Sequence, residues 1–474
     1  MRAEKMQALL SLLNHSVEYS DDEIKIINQA GLRKHIETLV RKAVVGEPEQ
    51  DRYLARYLIR RIALAAGIVP SSIHDLYLAR GRGEVPNTFT TPAINLRSLT
   101  FFAARAVIRS AQSINAGALI FELARSETGY TDQRPSEYAA NVLGAALAEG
   151  YTGPVFMQGD HYQVSASRYK DDPKTELQAV KDLTTEAMGA GFYNIDVDTS
   201  TLVDLSKDSV PEQQTSNYEL TCSLSKFIRD LEPEGITVSI GGEIGEVGGH
   251  NSTEEELRAF LDGYLEKAKE IAPGMKGLSK ISIQTGTSHG GVVLPDGSIK
   301  EVSVDFNTLQ HLGEVARDSY GLGGAVQHGA STLPESAFNK FVEAGALEVH
   351  LATNFQNILY DHLPQNLVDE IYTYLDQNHD HERKPDQTDE QFYYNTRKRA
   401  LGPFKEKIWN LPEAKIQEIS QAWEKQFSDL FDRLSLEDTK KFVDEHIQPV
   451  KVEPQLDDYL LGDVEAEDTS DLAD

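Results

Sequence analysis

Four short segments carry side chains suited to holding a catalytic metal ion: Gly159-Asp160-His161, Gly242-Glu243-Ile244-Gly245-Glu246, Ser288-His289-Gly290-Gly291 and Gln327-His328-Gly329-Ala330-Ser331. Each follows a run that reads as a buried β-strand. Imidazoles and carboxylates are the ligands of a zinc-like ion that keeps one coordination position open for substrate. A single strand-end histidine is more often an ordinary hydrogen-bonded residue. Four such segments in succession predict one site assembled from the ends of several strands.

The elements that must position these segments recur along the chain. Candidate strands cover Ala93–Leu96, Ala118–Leu123, Val155–Met157, Phe192–Val197, Thr237–Ile240, Ile281–Gln284, Gly324–Gln327 and Leu347–Leu351. Helical stretches separate them, among them Leu99–Ser113, Pro135–Glu149, Lys174–Ala190 and Glu254–Ile271. Eight βα units in one run predict an α/β protein built on a (β/α)8 TIM barrel, whose chemistry sits at the C-terminal strand ends. A doubly wound open sheet is the alternative, but no glycine-rich dinucleotide turn follows the first strand. Residues 1–90 read as an N-terminal helical region, with Leu54, Tyr57, Leu58 and Ile62 at helical spacing. The barrel is expected over 91–364 and a charged C-terminal helical extension over 365–450. There Ile416, Ile419, Trp423, Phe427, Leu430 and Phe431 form a face expected to pack on the barrel or a partner subunit. Residues 452–474 hold nine acids and no base, so 451–474 is expected to be a solvated, flexible tail.

Composition narrows the function classes. The 474 residues carry a net charge of −29, from 46 basic and 75 acidic side chains. No basic block is available to track a phosphate backbone, so no nucleic-acid partner is expected. A single cysteine, Cys222, excludes an intramolecular disulfide framework and fits a reducing cytoplasm. Cys222 itself is expected to be a small packed residue. The start lacks the apolar stretch of a signal peptide, and no apolar run is long enough for a membrane span. A cytoplasmic protein with no membrane partner is the expectation.

The ordered set Asp160-His161, Glu243, His289-Gly290 and His328-Gly329-x-Ser331 resembles the class II, metal-dependent ketose-bisphosphate aldolases, which act on fructose or tagatose bisphosphate. The resemblance covers roughly residues 90 to 360. It implies a lyase that cleaves a phosphorylated ketose reversibly through a metal-stabilised enediolate. His161, His289 and His328 would be the metal ligands, with Zn2+ the first choice among divalent ions. Glu243 would serve a second or displaced metal position. Asp160 would be the acid/base group for the hydroxyl that becomes the aldehyde. Gly290, Gly329, Ser331 and Thr353 fall at phosphate-binding positions. The resemblance also implies a homo-oligomer.

Two departures from the family pattern stand out. The family commonly has a glutamate after the Gly-Gly of the fifth loop, where it exchanges the substrate proton. Here the stretch reads Gly248-Gly249-His250-Asn251-Ser252-Thr253, and Asn251 cannot take a proton. His250 and Glu246, or Glu254 and Glu255, are the candidate replacements. The same residues could simply start a helix at Glu254, with Ser252 or Thr253 as its cap. At the eighth strand the family's Asn-x-Asp-Thr-Asp is replaced by His350-Leu351-Ala352-Thr353-Asn354. Ala352 removes a carboxylate, and His350 could reach the metal as a fourth imidazole or contact the substrate. Both changes argue against ordinary fructose 1,6-bisphosphate as the substrate. They leave an epimerase or isomerase on the same site, or a non-catalytic subunit, as alternatives. Asn194, Asp196 and Asp198 alternate along one strand as interior polar residues or partners of the ligands. The Tyr162–Pro173 loop, with Arg168 and Lys170, is either a lid or a solvated loop. Arg397, Lys398 and Arg399 are either a solvated helix face or a contact to a neighbouring subunit's phosphate site.

Overall fold

The computed structural model describes residues 2–20, 22–245, 250–286, 292–294, 299–300, 304–460, 469 and 472. Eight parallel strands form its centre: β1 (Thr91–Asn95), β2 (Ile120–Ala124), β3 (Gly153–Gln163), β4 (Asn194–Asp198), β5 (Ser239–Glu243), β6 (Lys280–Ile283), β7 (Ala325–Gln327) and β8 (Glu348–Leu351). Each pairs with its neighbours in sequence, β8 pairs with β1, and β3 with β4 completes the circle. The fold is a (β/α)8 TIM barrel. All eight strands lie where the apolar runs place them, and a helix follows each one.

Local sequence explains the boundaries of those helices. Pro173 opens the helix Pro173–Ala190, while the Asp172 side chain accepts hydrogen bonds from the amides of Lys174 and Thr175. Gly191, at φ 98°, ends it in the left-handed conformation. Thr253 caps the helix Glu254–Ile271 in a capping box with Glu256, so Asn251-Ser252-Thr253 does serve as a helix start.

The N-terminal region is not helical throughout. Helices Gln29–Val45 and Glu49–Ala65 pack on the barrel helix Pro135–Glu149, but a hairpin (Val17–Ser20, Glu23–Ile26) precedes them. A further strand, Ile68–Ser71, follows. It pairs with Gly153–Phe156 at the base of β3, below the point where β4 begins to pair. Pro70 is tolerated because this strand has one partner strand and an open edge. The Asn194 side chain fills the junction, accepting from Ile73 N at 2.9 Å and donating to Met157 O at 2.8 Å. The next helix, His74–Gly81, sends Tyr77 into the barrel floor, where its hydroxyl donates to Glu348.

The C-terminal extension covers the outside of the barrel. The apolar face of the helix Glu413–Arg433 packs on the helix Thr100–Ser113 and on Thr353–His362. The Trp423 indole N–H donates to Phe355 O at 2.9 Å, and the Phe355 and Phe427 rings lie 4.7 Å apart. Arg397 is buried rather than solvated: its guanidinium lies 4.6 Å from both the Tyr360 and Tyr394 rings. The tail's described acids are exposed, but Pro454, Tyr459, Thr469 and Leu472 are buried. Tyr459 packs edge-on against Tyr57, and Thr469 Oγ1 donates to Ser126 O at 2.9 Å. Among the described residues no helix is long and apolar enough to cross a membrane.

Candidate active site

An irregularity in β3 builds the site. Successive residues of a regular strand point to opposite faces, so Asp160 and His161 would not both face the barrel interior. In β3, Gly159 pairs with Ile195 and Tyr162 with Val197, so three steps on β3 match two on β4. The extra residue is a bulge. His161 absorbs it at φ 40°, a left-handed backbone that is strained for a residue bearing a Cβ. Both side chains turn inward, are buried, and approach to 4.0 Å between His161 Nε2 and Asp160 Oδ1. Gly159 makes this possible, since an added Cβ would lie 2.5 Å from the buried Tyr162 ring.

Asp160 Oδ1 is the hub of three imidazoles. It lies 4.0 Å from His161 Nε2, 3.9 Å from His328 Nδ1 and 3.1 Å from His350 Nδ1. The rings stand in a row, with centroids 4.1 Å apart for His161–His328 and 4.0 Å for His328–His350. The opposite nitrogen of each ring has an orienting partner. His161 Nδ1 meets Asp198 Oδ2 at 3.2 Å, His328 Nε2 meets Ser282 Oγ at 3.0 Å, and His350 Nε2 meets Glu348 Oε1 at 2.6 Å. Facing the Asp198 carboxylate, His161 Nδ1 is the donor, which leaves Nε2 as the nitrogen that would face an ion in place of its proton. Such carboxylate–histidine pairs fix metal ligands in other proteins. The donor set therefore fits a divalent ion, which the nitrogens of His161 and His328 nearest Asp160 would hold.

The electrostatics agree with that fit. Burial opposes charge on Asp160, but the His161 and His350 rings and hydrogen bonds from His350 and Asn95 outweigh it and hold the carboxyl below its usual range. Burial also opposes protonation of His161, yet Asp160 and Glu243 keep its pKa well above the ordinary imidazole value. Glu243 is pushed up to about 7 by burial and then by Asp198. Positive charge among these carboxylates, on the rings or on an ion, is therefore favoured.

The other expected residues divide into three sets. Glu243 ends β5 with Oε2 3.4 Å from His161 Nδ1, inside the cluster. Gly329 adopts φ 68°, which glycine accepts without strain. Ser331 Oγ accepts from Ala352 N at 2.6 Å, tying the loop after β7 to the loop after β8. Thr353 opens the helix Thr353–His362, beside the tie between Ser331 and Ala352. His250 is not brought to the histidines: its exposed ring pairs with Glu256 Oε1 at 2.8 Å. His311 is likewise exposed, 2.6 Å from Glu254. In the Tyr162–Pro173 stretch, Tyr162 belongs to β3 and Ala166–Asp171 is a short helix. Glu246, His289 and Gly290 lie outside the described residues.

Beneath the histidines lies a polar layer that the motifs do not announce. Lys280 Nζ contacts Glu348 Oε1 (2.5 Å), Asp196 Oδ1 (2.9 Å) and Gln158 Oε1 (2.8 Å). Glu122 Oε2 accepts from Gln158 Nε2 at 2.9 Å and lies 3.1 Å from His350 Nδ1. The signal was a charge set inside an apolar strand: Glu122 between Phe121 and Leu123, and Glu348 between Leu347 and Val349.

No curated protein sequence matches the chain. Among solved structures, the chain is similar to the fructose-bisphosphate aldolase of Campylobacter jejuni, with 18% identity and a TM-score of 0.45, over 78% of this chain and 97% of that one. It is also similar to the YdjI aldolase of Escherichia coli K12, with 13% identity and a TM-score of 0.45, over 77% of this chain and 98% of that one. The family described as fructose-bisphosphate aldolase class-II matches residues 86–422. With that match spanning most of its length, the chain belongs to the class II fructose-bisphosphate aldolase family.

Proposed function

We propose that the protein cleaves a phosphorylated ketose by a reversible, metal-dependent aldol reaction, with His161, His289 and His328 holding the ion and Zn2+ the first choice. The observation that supports this best is the β3 bulge, which turns an ionised carboxylate and a metal-type imidazole into the same interior space. When bound, the ion supplies Lewis-acid stabilisation of the negative charge that develops at the ketose carbonyl.

The chain's own residues do the rest. Asp160 takes the proton from the hydroxyl whose carbon becomes the aldehyde, and the carbon–carbon bond electrons move toward the carbonyl end. Asn95 Nδ2, 3.1 Å from Asp160 Oδ2, fixes the carboxylate plane. Gly329, the Ser331 hydroxyl and Thr353 bind a phosphate, joined by Gly290. Glu246 or His250 exchanges the proton on the remaining fragment, and His250 must leave Glu256 to do so. Glu243 offers the ion an alternative position, and subunits associate as in a homo-oligomer.

The test is retro-aldol activity on fructose and tagatose mono- and bisphosphates, read as triose phosphate, before and after chelation. Cleavage that chelation abolishes and Zn2+ restores is expected. Metal-loaded protein that cleaves none of them would overturn the lyase reading.

A further inference from the structure

We infer that Glu127 is a positioning residue for Asp160: clamped by Arg97, it holds the Asn95 amide against the Asp160 carboxylate and so aims Oδ2 at the substrate hydroxyl. The aim rests on the role given to Asp160 in the proposed function, whereas the contacts do not.

Three strand ends supply the parts. Asn95 ends β1, and Arg97 lies two residues beyond it. Glu127 lies three residues beyond the end of β2, and Asp160 belongs to β3. All four side chains are buried. Arg97 Nε donates to Glu127 Oε1 at 2.7 Å. Asn95 Nδ2 donates to Glu127 Oε2 at 3.0 Å and to Asp160 Oδ2 at 3.1 Å. Ala124 N also donates to Glu127 Oε2, at 2.9 Å. Arg97 is anchored in turn, with Nη1 donating to Gln356 Oε1 at 3.2 Å in the helix that follows β8. The chain of hydrogen bonds therefore joins the ends of β8, β1, β2 and β3, which are consecutive around the barrel.

Donor and acceptor capacity fixes the direction of that chain. Arg97, Asn95 and Ala124 all donate to Glu127, so its carboxylate needs no proton of its own. The Asn95 nitrogen carries two hydrogens, and it gives one to each carboxylate. Turning the amide over would set its oxygen against both of them, so Asn95 is held in one orientation. The carboxylate torsion of an aspartate is otherwise broad. Here Oδ1 meets His350 Nδ1 at 3.1 Å and Oδ2 meets Asn95, so the plane is pinned at both oxygens. A general base must lie within about 2.6–3.2 Å of the proton it removes, and pinning serves that requirement.

Packing alone does not require this arrangement. A buried arginine–carboxylate pair is often replaced by apolar side chains without loss of stability. An apolar residue at position 127 would leave one Asn95 hydrogen without this acceptor and the amide able to turn.

The experiment measures kcat and KM of full-length wild type and Glu127→Gln on the ketose phosphate that wild type cleaves. The new amide must turn its nitrogen toward Arg97 or toward Asn95 and Ala124, so the clamp opens at one end without a change of volume. Expected is a fall in kcat of about 10–100-fold with KM within about twofold of wild type. In an Asn95→Ala background Glu127→Gln should have no further effect on kcat, because it acts through Asn95. Wild-type kcat in Glu127→Gln, or the same fold loss in both backgrounds, would overturn the inference. If Glu127→Gln fails to fold, Arg97→Met combined with Glu127→Leu replaces the pair by apolar side chains, and the same fall or its absence decides. Crystal structures of wild type and variant read the same point without turnover. The Asn95 and Asp160 side chains should be turned or split between conformers in the variant, and unchanged positions of both would overturn the inference. A wild type that cleaves no ketose phosphate would contradict the proposed function, and the crystallographic comparison would then decide the positioning on its own.

Discussion

Replacing Gly159 by alanine tests whether close packing of the β3 bulge sets the catalytic geometry. The new Cβ would stand 2.5 Å from Tyr162 Cε1 and Cζ, against a carbon–carbon contact distance of about 3.5–4.0 Å. Roughly 1 Å of movement is required. The Tyr162 ring is fully buried and cannot supply it by swinging into solvent. Overpacking of this kind costs about 1–3 kcal/mol. The backbone that must yield also carries Asp160 and His161, and a displacement of about 1 Å at reacting groups costs on the order of 10²-fold in rate. Urea unfolding and retro-aldol rates of Gly159→Ala should show both losses. Adding Tyr162→Leu removes the atoms that clash, so the double variant should recover stability relative to the sum of the two single changes. Gly159→Ala with wild-type stability, rate and bound metal would mean that the bulge does not set the geometry of Asp160 and His161.

Other perturbations probe the surroundings. Asp198→Asn removes the carboxylate that orients His161 Nδ1, and metal affinity measured by competition with a chelator should fall about 10–100-fold. Lys280→Met strips the cation from Glu348 and Asp196, and should cost about 3–5 kcal/mol in urea unfolding. Glu243 has a folded pKa raised from 4.5 to about 7. A raised carboxyl contributes stability that is complete below the unfolded value and is lost as pH rises through the folded one. Chelated protein should therefore lose about 2 kcal/mol between pH 5.5 and pH 8.5 through this group, and Glu243→Gln should flatten that part of the profile.

The barrel was legible in the sequence because parallel strands buried on both faces read as short apolar runs between helical stretches. The bulge was not. Val155–Met157 marks only the apolar start of β3, which runs from Gly153 to Gln163, because Gln158, Asp160 and His161 end the hydrophobic pattern. Polar residues inside a barrel look like breaks when they are part of the strand. Ile68–Ser71 escaped for a related reason: four residues with a proline carry no periodic signal, and pairing with β3 alone makes them a strand. The motif residues of β3, β5 and β7 were readable because their types match their chemistry. Glu122, Lys280 and Glu348 were not, since their meaning lies in partners more than thirty residues away. His250 shows the converse, a residue type fit for proton transfer that the fold places at the surface against Glu256.

If the function proposed above holds, imidazoles gathered at the C-terminal ends of the barrel strands hold an ion required for carbon–carbon cleavage. The direct measurement is triose phosphate release by wild type, His161→Ala and His328→Ala after exhaustive chelation and reloading with Zn2+. Reloading should restore cleavage in wild type and in neither variant, while both keep the wild-type circular dichroism spectrum. Wild-type cleavage by either variant would contradict the proposed function.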